Sequence, residues 1–217
     1  VAAIAIVGSL VAAVDRGLTE QGQPLLGGDV EFSLIHREAT AQEQAFMASK
    51  GSVSRIATLR AMATANGKST LVEIKAVDDA YPLYGTLTYA PGAAAKPFAM
   101  TQGIDGVAVD PLLLGRLGMS PGGVVRIGTR DLRIQAVIAA EPDRISDGII
   151  LGPRMMMSDE ALRTTGLIQP GSLVTWRYRV KLPADAPLSA AKAVVAEAEA
   201  QFPDAGWRVR ARDSAAQ

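Results

Sequence analysis

The 217-residue sequence contains no cysteine, so structural disulfides, thiolate catalysis and cysteine-ligated metals are excluded. It contains one histidine, His36, which rules out a multi-histidine metal site within the chain and reads as an ordinary surface or strand residue. It carries no excess charge of either sign, with Lys+Arg and Asp+Glu both at 22. A nucleic-acid binder needs a basic surplus to neutralise phosphates, so that class is excluded too. Long apolar runs are scarce. The first is Val1–Val14, uncharged and relieved only by Gly8 and Ser9, with no Met and no basic residue before it. A membrane-spanning helix needs about 20 apolar residues, so a run this short also fits a buried helix or a signal-peptide core. A signal peptide requires a basic start and a small-residue cleavage site, which Asp15-Arg16-Gly17 does not supply. The expectation is that the chain is a piece of a longer protein and that residues 1–24 are the outer end of a transmembrane helix and its stalk.

What is present is a core-forming composition, 48% hydrophobic, ample for one or two domains. Gly22 and Pro24 stop the first helix, and Gly27 and Gly28 permit a sharp change of direction where a stalk would meet its domain. Val30, Phe32 and Leu34 alternate with Glu31 and Ser33, a half-buried strand. Thr40-Ala41-Gln42-Glu43 is a capping box, and Gly51 stands just past the helix it starts. Ser52–Ala65 reads as a long strand, Asn66-Gly67 as a hairpin turn, and Thr70–Val77 as the returning strand with Glu73 and Lys75 outward.

The middle is rich in turn formers. Asp110-Pro111 opens a short leucine-rich helix ended by Gly118, strands follow at Val124–Ile127 and Leu132–Ala139, Gly148–Met157 reads as another, and Ser158 caps a short helix closing at Gly166. Val174–Leu182 then alternates strictly. Pro187–Phe202 is an amphipathic helix with Leu188, Ala191, Val195, Ala198 and Phe202 on one stripe, and Trp207–Ala211 is a closing strand. The first unit is β-α-β-β and the last β-α-β. The fold class predicted is α+β: two βαβ-type units in one mixed or antiparallel sheet with helices on one face, and residues 85–171 inserted between them as a β-rich part.

Gly118-Met119-Ser120-Pro121-Gly122 matches the esterase pattern G-x-S-x-G, but the residue after the serine must donate its backbone N–H to an oxyanion, and Pro121 has none. His36 also precedes the serine, where a triad histidine would follow it. Gly67-Lys68-Ser69-Thr70 has the tail of a P-loop, but Met62 stands where the first glycine belongs and a strand follows it. Asp78-Asp79 and Asp143/Asp147 are either paired carboxylates for acid–base work or divalent-cation binding or, as the default, turn carboxylates; the stretch Asp143–Gly148 lacks the spacing of a calcium loop. Met155-Met156-Met157 is either an adaptable apolar interaction surface or a strand with one methionine inward and two near an edge. Arg208, Arg210 and Arg212 are either a solvated strand face or a surface that meets lipid headgroups.

Several segments together resemble the ABC-transporter permeases of the MacB/FtsX superfamily, nearest the YbbP-like branch. They are Leu25-Leu26-Gly27-Gly28-Asp29-Val30 after an apolar helix, Val72–Asp78 with Tyr81-Pro82-Leu83-Tyr84-Gly85, and Val109-Asp110-Pro111-Leu112-Leu113. Glu141-Pro142-Asp143-Arg144, Leu151-Gly152-Pro153-Arg154 and Gln169-Pro170-Gly171-Ser172 continue the family's order across most of the chain. The remaining transmembrane helices of such permeases are absent, so nothing here transports alone. The resemblance implies a periplasmic domain at the bacterial inner membrane, with a membrane-proximal split βαβ part (25–84 and 172–213) and a β-rich insert (85–171). It implies a separate cytoplasmic ATPase subunit as partner, motion passed to a hydrophobic or lipidic substrate or to a periplasmic partner such as a secreted hydrolase, and a possible second permease copy. It supplies no catalytic, cofactor or metal residue. Gly22, Gly27 and Gly28 are then candidates for a hinge. The competing readings are a tethered module that captures an apolar ligand by itself and, less well supported, a serine hydrolase built on Ser120 and His36.

Overall fold

The computed structural model describes residues 26–144, 152–187 and 189–212. The expected transmembrane stub at 1–24, the hinge candidate Gly22 and the stripe residue Leu188 therefore lie outside the described residues. Among the described residues no helix is long and apolar enough to cross a membrane.

Local signals place most elements. Strand β1 is Val30–Ile35, and helix α1 is Ala41–Lys50. The capping box is formed: Glu43 N–H donates to Thr40 Oγ1 at 3.3 Å and Thr40 N–H donates to Glu43 Oε2 at 2.7 Å. Gly51 ends α1 because the chain passes the backbone of Lys181 so closely that a Cβ would sit 2.1 Å from that carbonyl oxygen. Strands β2 (Ser52–Ala65) and β3 (Lys68–Val77) form a hairpin whose turn residues Asn66 and Gly67 both have positive φ, 52° and 70°. The remaining elements are β4 (Thr88–Tyr89), β5 (Gly106–Val109), α2 (Pro111–Leu117), β6 (Val124–Ile127), β7 (Arg130–Ala140), β8 (Arg154–Ser158), α3 (Asp159–Thr164), β9 (Thr175–Lys181), α4 (Ala190–Gln201) and β10 (Arg208–Ala211). Of the strand expected over Gly148–Met157, residues 148–151 lie outside the described residues, and the strand observed begins only at Arg154. The short strands β4 and β5 carry no periodicity long enough to announce them.

The result is one mixed sheet in the order β10-β1-β9-β2-β3-β8-β5-β7-β4, with β6 bridging β2 and β7. Pairing is antiparallel except for β3 with β8 and β5 with β7. In the first four strands β9 lies between β1 and β2, and β1 lies between β9 and β10. Each βαβ crossover thus straddles a strand of the other, the interlocked arrangement of ferredoxin-like sheets. Strand β2 is long enough to pair with β9 over its first half and with β6 near its end, so the sheet runs without interruption from β10 into the middle of the chain.

One face carries the main core. Phe32, Tyr178, Trp176, Ile74, Met155 and Met157 project into it, along with Met47 from α1, Leu113 and Leu117 from α2, Leu162 from α3, and Ala191 and Ala198 from α4. Four rings lock α1 and α4 onto β1: Phe32 to Trp207 at 4.9 Å, Phe32 to Phe46 at 6.3 Å, Phe46 to Phe202 at 5.4 Å and Phe202 to Trp207 at 5.3 Å between centroids. Outside this cluster Lys50 Nζ pairs with Glu197 at 2.6 Å, so the two helices lie side by side. Phe32 is fully buried, and its truncation by Phe32→Ala is expected to cost about 3–5 kcal/mol, read as a lowered urea midpoint at unchanged slope. A loss below about 1 kcal/mol would mean that the rings do not hold α1 and α4 to the sheet.

Candidate functional site

The opposite face of the sheet carries charge, and it is buried. Glu31, Glu73, Lys75, Arg154 and Arg179 all lie on it. Sequence alternation placed Glu73 and Lys75 outward; the structure corrects this. Lys75 is fully buried and Glu73 nearly so, because the segments 78–98 and 141–144 fold back over that face as a roof. Ile56, Val77, Ala108, Ala136, Ile138 and Met156 form a small second core under Tyr81, Leu87, Tyr89, Ala93 and Phe98. The two roof segments touch: a Cβ on Gly85 (φ 75°) would lie 2.6 Å from that of Pro142.

A charge taken out of water must be matched by a partner, and here a chain of ion pairs does so. Lys75 Nζ donates to Glu141 Oε1 at 2.7 Å and to both oxygens of Asp143 at 2.8 Å. Arg154 Nη1 donates to Glu73 at 2.6 Å, and its Nε to Glu141 at 3.2 Å. Asp143 also accepts from Arg179 and from Tyr81 Oη. Arg179 Nε reaches Glu31 at 3.0 Å, and Arg210 Nη2 reaches the other oxygen of Glu31 at 2.6 Å. Four cations (Lys75, Arg154, Arg179, Arg210) face four carboxylates (Glu31, Glu73, Glu141, Asp143). Burial pushes the Glu141 carboxyl up, but Lys75 and Arg154 together hold it below the usual carboxylate range. Burial likewise opposes ionisation of Glu31, and Arg179, Arg210 and Arg177 override it.

Beside this chain is a second knot, where the described chain enters and leaves. Asp29, which is buried, accepts from Arg212 Nη1 at 2.7 Å, Tyr84 Oη at 2.8 Å and Leu182 N–H at 2.8 Å. Arg212 N–H donates to the Asp29 carbonyl at 2.9 Å. The segment before β1, the segment after β10 and the roof are thus joined on one carboxylate. Burial and the bond to Asp29 push the Tyr84 phenol well above its ordinary value.

The residues singled out in the sequence separate on this frame. Gly27 and Gly28 are buried against Arg179; a Cβ on Gly27 (φ 71°) would fall 2.6 Å from its guanidinium, and one on Gly28 3.1 Å from its Cβ. Their glycines are explained by close approach to that arginine. Met155, Met156 and Met157 are all fully buried, because β8 is an interior strand between β3 and β5 and roofed on its second face; they present no free surface. Of Arg208, Arg210 and Arg212, only Arg208 is exposed. Arg210 is tied to Glu31, and Arg212 lies beyond β10, buried against Asp29, so the three do not make one solvated or lipid-facing strip. His36 follows β1, its Nδ1 3.3 Å from the Ser172 carbonyl oxygen, and Ser120 sits in the turn between α2 and β6, so no nucleophile–base pair forms. Lys68 is exposed beside the hairpin turn, and Asp78 accepts from Ser54 Oγ and Arg55 N–H. Among the described residues no acidic or histidine group is arranged to hold a metal. Sequence alternation does not reveal the ion chain, because Glu31, Lys75 and Arg179 occupy the positions that alternate with the core-facing ones and read as solvated until the roof is in place.

No protein-family model matches the chain. The uncharacterised ABC transporter permease YbbP of Escherichia coli (strain K12) is 32% identical over 180 residues, covering 82% of this chain but 22% of that protein. The chain thus spans about a fifth of that relative's length. Among solved structures, the periplasmic region of MacB from Actinobacillus actinomycetemcomitans superposes with a TM-score of 0.58 at 11% identity, covering 88% of this chain and 92% of that one. The extracellular domain of a noncanonic ABC-type transporter, YknZ, from Gram-positive bacteria gives 0.55 at 12% identity, covering 83% and 99%. At these identities the structural matches establish the fold.

Two outcomes follow from the ion chain. Lys75→Met leaves Glu141 and Asp143 short of a buried cation and is expected to destabilise the chain by about 3–5 kcal/mol in urea unfolding. Glu31 and Glu141 ionise more easily folded than unfolded, so their contribution is complete above the ordinary carboxylate value of 4.5 and is lost as pH falls through their folded values. Unfolding midpoints measured from pH 7 to pH 3 should hold level and then fall below about pH 4.5, less steeply in Glu141→Gln. A profile that the glutamine variant leaves unaltered would refute this assignment.

Proposed function

Because the chain belongs to the ABC-transporter permeases of the MacB/FtsX type, on the YbbP-like branch, we propose that it is the extracytoplasmic domain through which such a permease turns ATP-driven motion into work outside the membrane. In this reading the parent protein lies in the bacterial inner membrane, and the domain stands in the periplasm. A separate cytoplasmic ATPase hydrolyses ATP, and the domain itself carries no catalysis. The work is export or extraction of a hydrophobic or lipidic substrate, or actuation of a periplasmic partner such as a hydrolase, with a second permease copy as a further possible neighbour. Residues 25–84 with 172–213 form the part next to the membrane, and 85–171 the part inserted into it.

The observation that carries the reading is the knot at Asp29. In a permease the segments before β1 and after β10 lead to transmembrane helices, and Asp29 and Arg212 tie those two segments together while Tyr84 ties the roof to them. Displacement of one helix against the other loads this knot first, and the ion chain passes the load across the sheet. Gly27 and Gly28, bedded on Arg179, set where the entering chain meets that network. The alternative, a tethered module that captures an apolar ligand by itself, is favoured by one observation, an open groove of about 450 Å³ beside β2.

The test uses the full-length permease with its ATPase in vesicles. ATP is expected to change amide hydrogen exchange in the roof segment 80–97. Tyr84→Phe removes one hydroxyl at a stability cost of about 1 kcal/mol and should reduce that ATP-dependent change severalfold while ATPase turnover is kept. An undiminished change in the variant would remove the knot from the path.

A further inference from the structure

Strand β2 has a gap along one edge. Its residues up to Thr58 pair with β9, whose first residue, Thr175, lies opposite Thr58, and pairing on that edge resumes at Ala63 with Ile127 of β6. Among the described residues no strand lies beside Leu59–Met62 on that edge. The chain ahead of β9 turns away instead, held by Ser172, whose Oγ donates to the Leu167 carbonyl and accepts from Gln169 N–H. The space left is the groove of about 450 Å³ lined by Thr58, Leu59, Arg60, Glu73, Leu167, Leu173 and Arg177 among others.

Its chemistry has two sides. Leu59 and Ala61 point to the main core and Leu167 packs against it, whereas Arg60 is exposed on the opposite face. Among the described residues Arg60 forms no ion pair, and Arg177 spends one N–H on Thr58 Oγ1 at 2.9 Å. The nearby carboxylate Glu73 is held by buried Arg154. The groove is therefore cationic on the outer face and apolar on the inner one, and Leu173 stands at its lip with 75% of its surface exposed.

We infer that this gap binds an extended peptide segment of a partner protein by strand addition, with an acidic side chain beside Arg60 and an apolar one on either side of it. The backbone edge selects the class of occupant. An alkyl chain laid along Leu59–Met62 would cover peptide N–H and C=O groups without bonding them, at a cost of desolvation. An extended peptide completes the ladder, and its alternating side chains fall on the two faces in the order the groove presents. At about 3.3 Å per residue the gap takes four residues, which fixes the motif as short. A carboxylate directly across from Arg60 is the favoured cross-strand pair. This goes beyond motion transmission and does not rest on it, since binding needs neither ATP nor membrane.

The experiment titrates the 217-residue chain with acetyl-Val-Val-Asp-Val-Leu-amide and reads the dissociation constant by calorimetry. The same peptide with Asn for Asp, and the same peptide with alternate backbone nitrogens methylated, are each expected to bind at least tenfold more weakly. Arg60→Met, an exposed position whose change leaves the core untouched, should erase the Asp-over-Asn preference. Dodecanoate is the competing occupant. If dodecanoate binds and the peptide does not, if the methylated peptide binds as well as the parent, or if Arg60→Met leaves the preference intact, strand addition is overturned. Those results leave the ATP-linked exchange at the roof unaffected, so the two readings fail separately.

Discussion

A charge removed from water has to be matched within hydrogen-bonding distance, and on the second face of this sheet that requirement decides how the connecting segments run. Glu31, Lys75, Arg154 and Arg179 stand on interior strands of the sheet, where no solvent reaches them. The strands alone do not balance them: Lys75 has its partners in Glu141 and Asp143, which belong to the roof. The roof is therefore held by charge as much as by the apolar contacts of Tyr81 and Phe98, and its position is specific because each carboxylate serves more than one cation. Replacement of such a network by apolar side chains often gives equal or greater stability, so its value here lies in fixing one arrangement of roof on sheet.

That arrangement explains why the two faces are built so differently. The helical face is an ordinary apolar core, closed by α1 and α4 through the Phe32, Phe46, Phe202 and Trp207 rings. The charged face links elements far apart in sequence: Glu31 with Arg179 and Arg210, Asp29 with Arg212 and Tyr84. Both of its knots gather the strands β1, β9 and β10 with the roof. The segments before β1 and after β10 are thus bonded to each other and to the roof, so that this end of the sheet is tied into one body.

The local elements were legible in the sequence because their signals are local. The capping box at Thr40, the Asn66-Gly67 turn, the Asp110-Pro111 helix start and the strict alternation of Val174–Leu182 each act within a few residues, and the structure shows each of them. The same alternation misled for Glu73 and Lys75, since it separates two faces but does not say whether the second is covered. The methionines at 155–157 were open to two readings for a related reason. Only neighbours on both sides of β8, and a roof above it, make all three interior.

The sequence by itself determined the α+β class, the long β2–β3 hairpin, the cap positions, and the family through motifs spread along the chain, because these depend on backbone preference and on residues in order. Tertiary structure alone decided that a row of charges is interior, that Gly27 and Gly28 bed against Arg179, that Asp29 joins three segments, and that among the described residues β2 is left with an open edge between β9 and β6. Each of those depends on which distant strand lies alongside which, and pairing between strands more than a hundred residues apart leaves no periodic trace in either one.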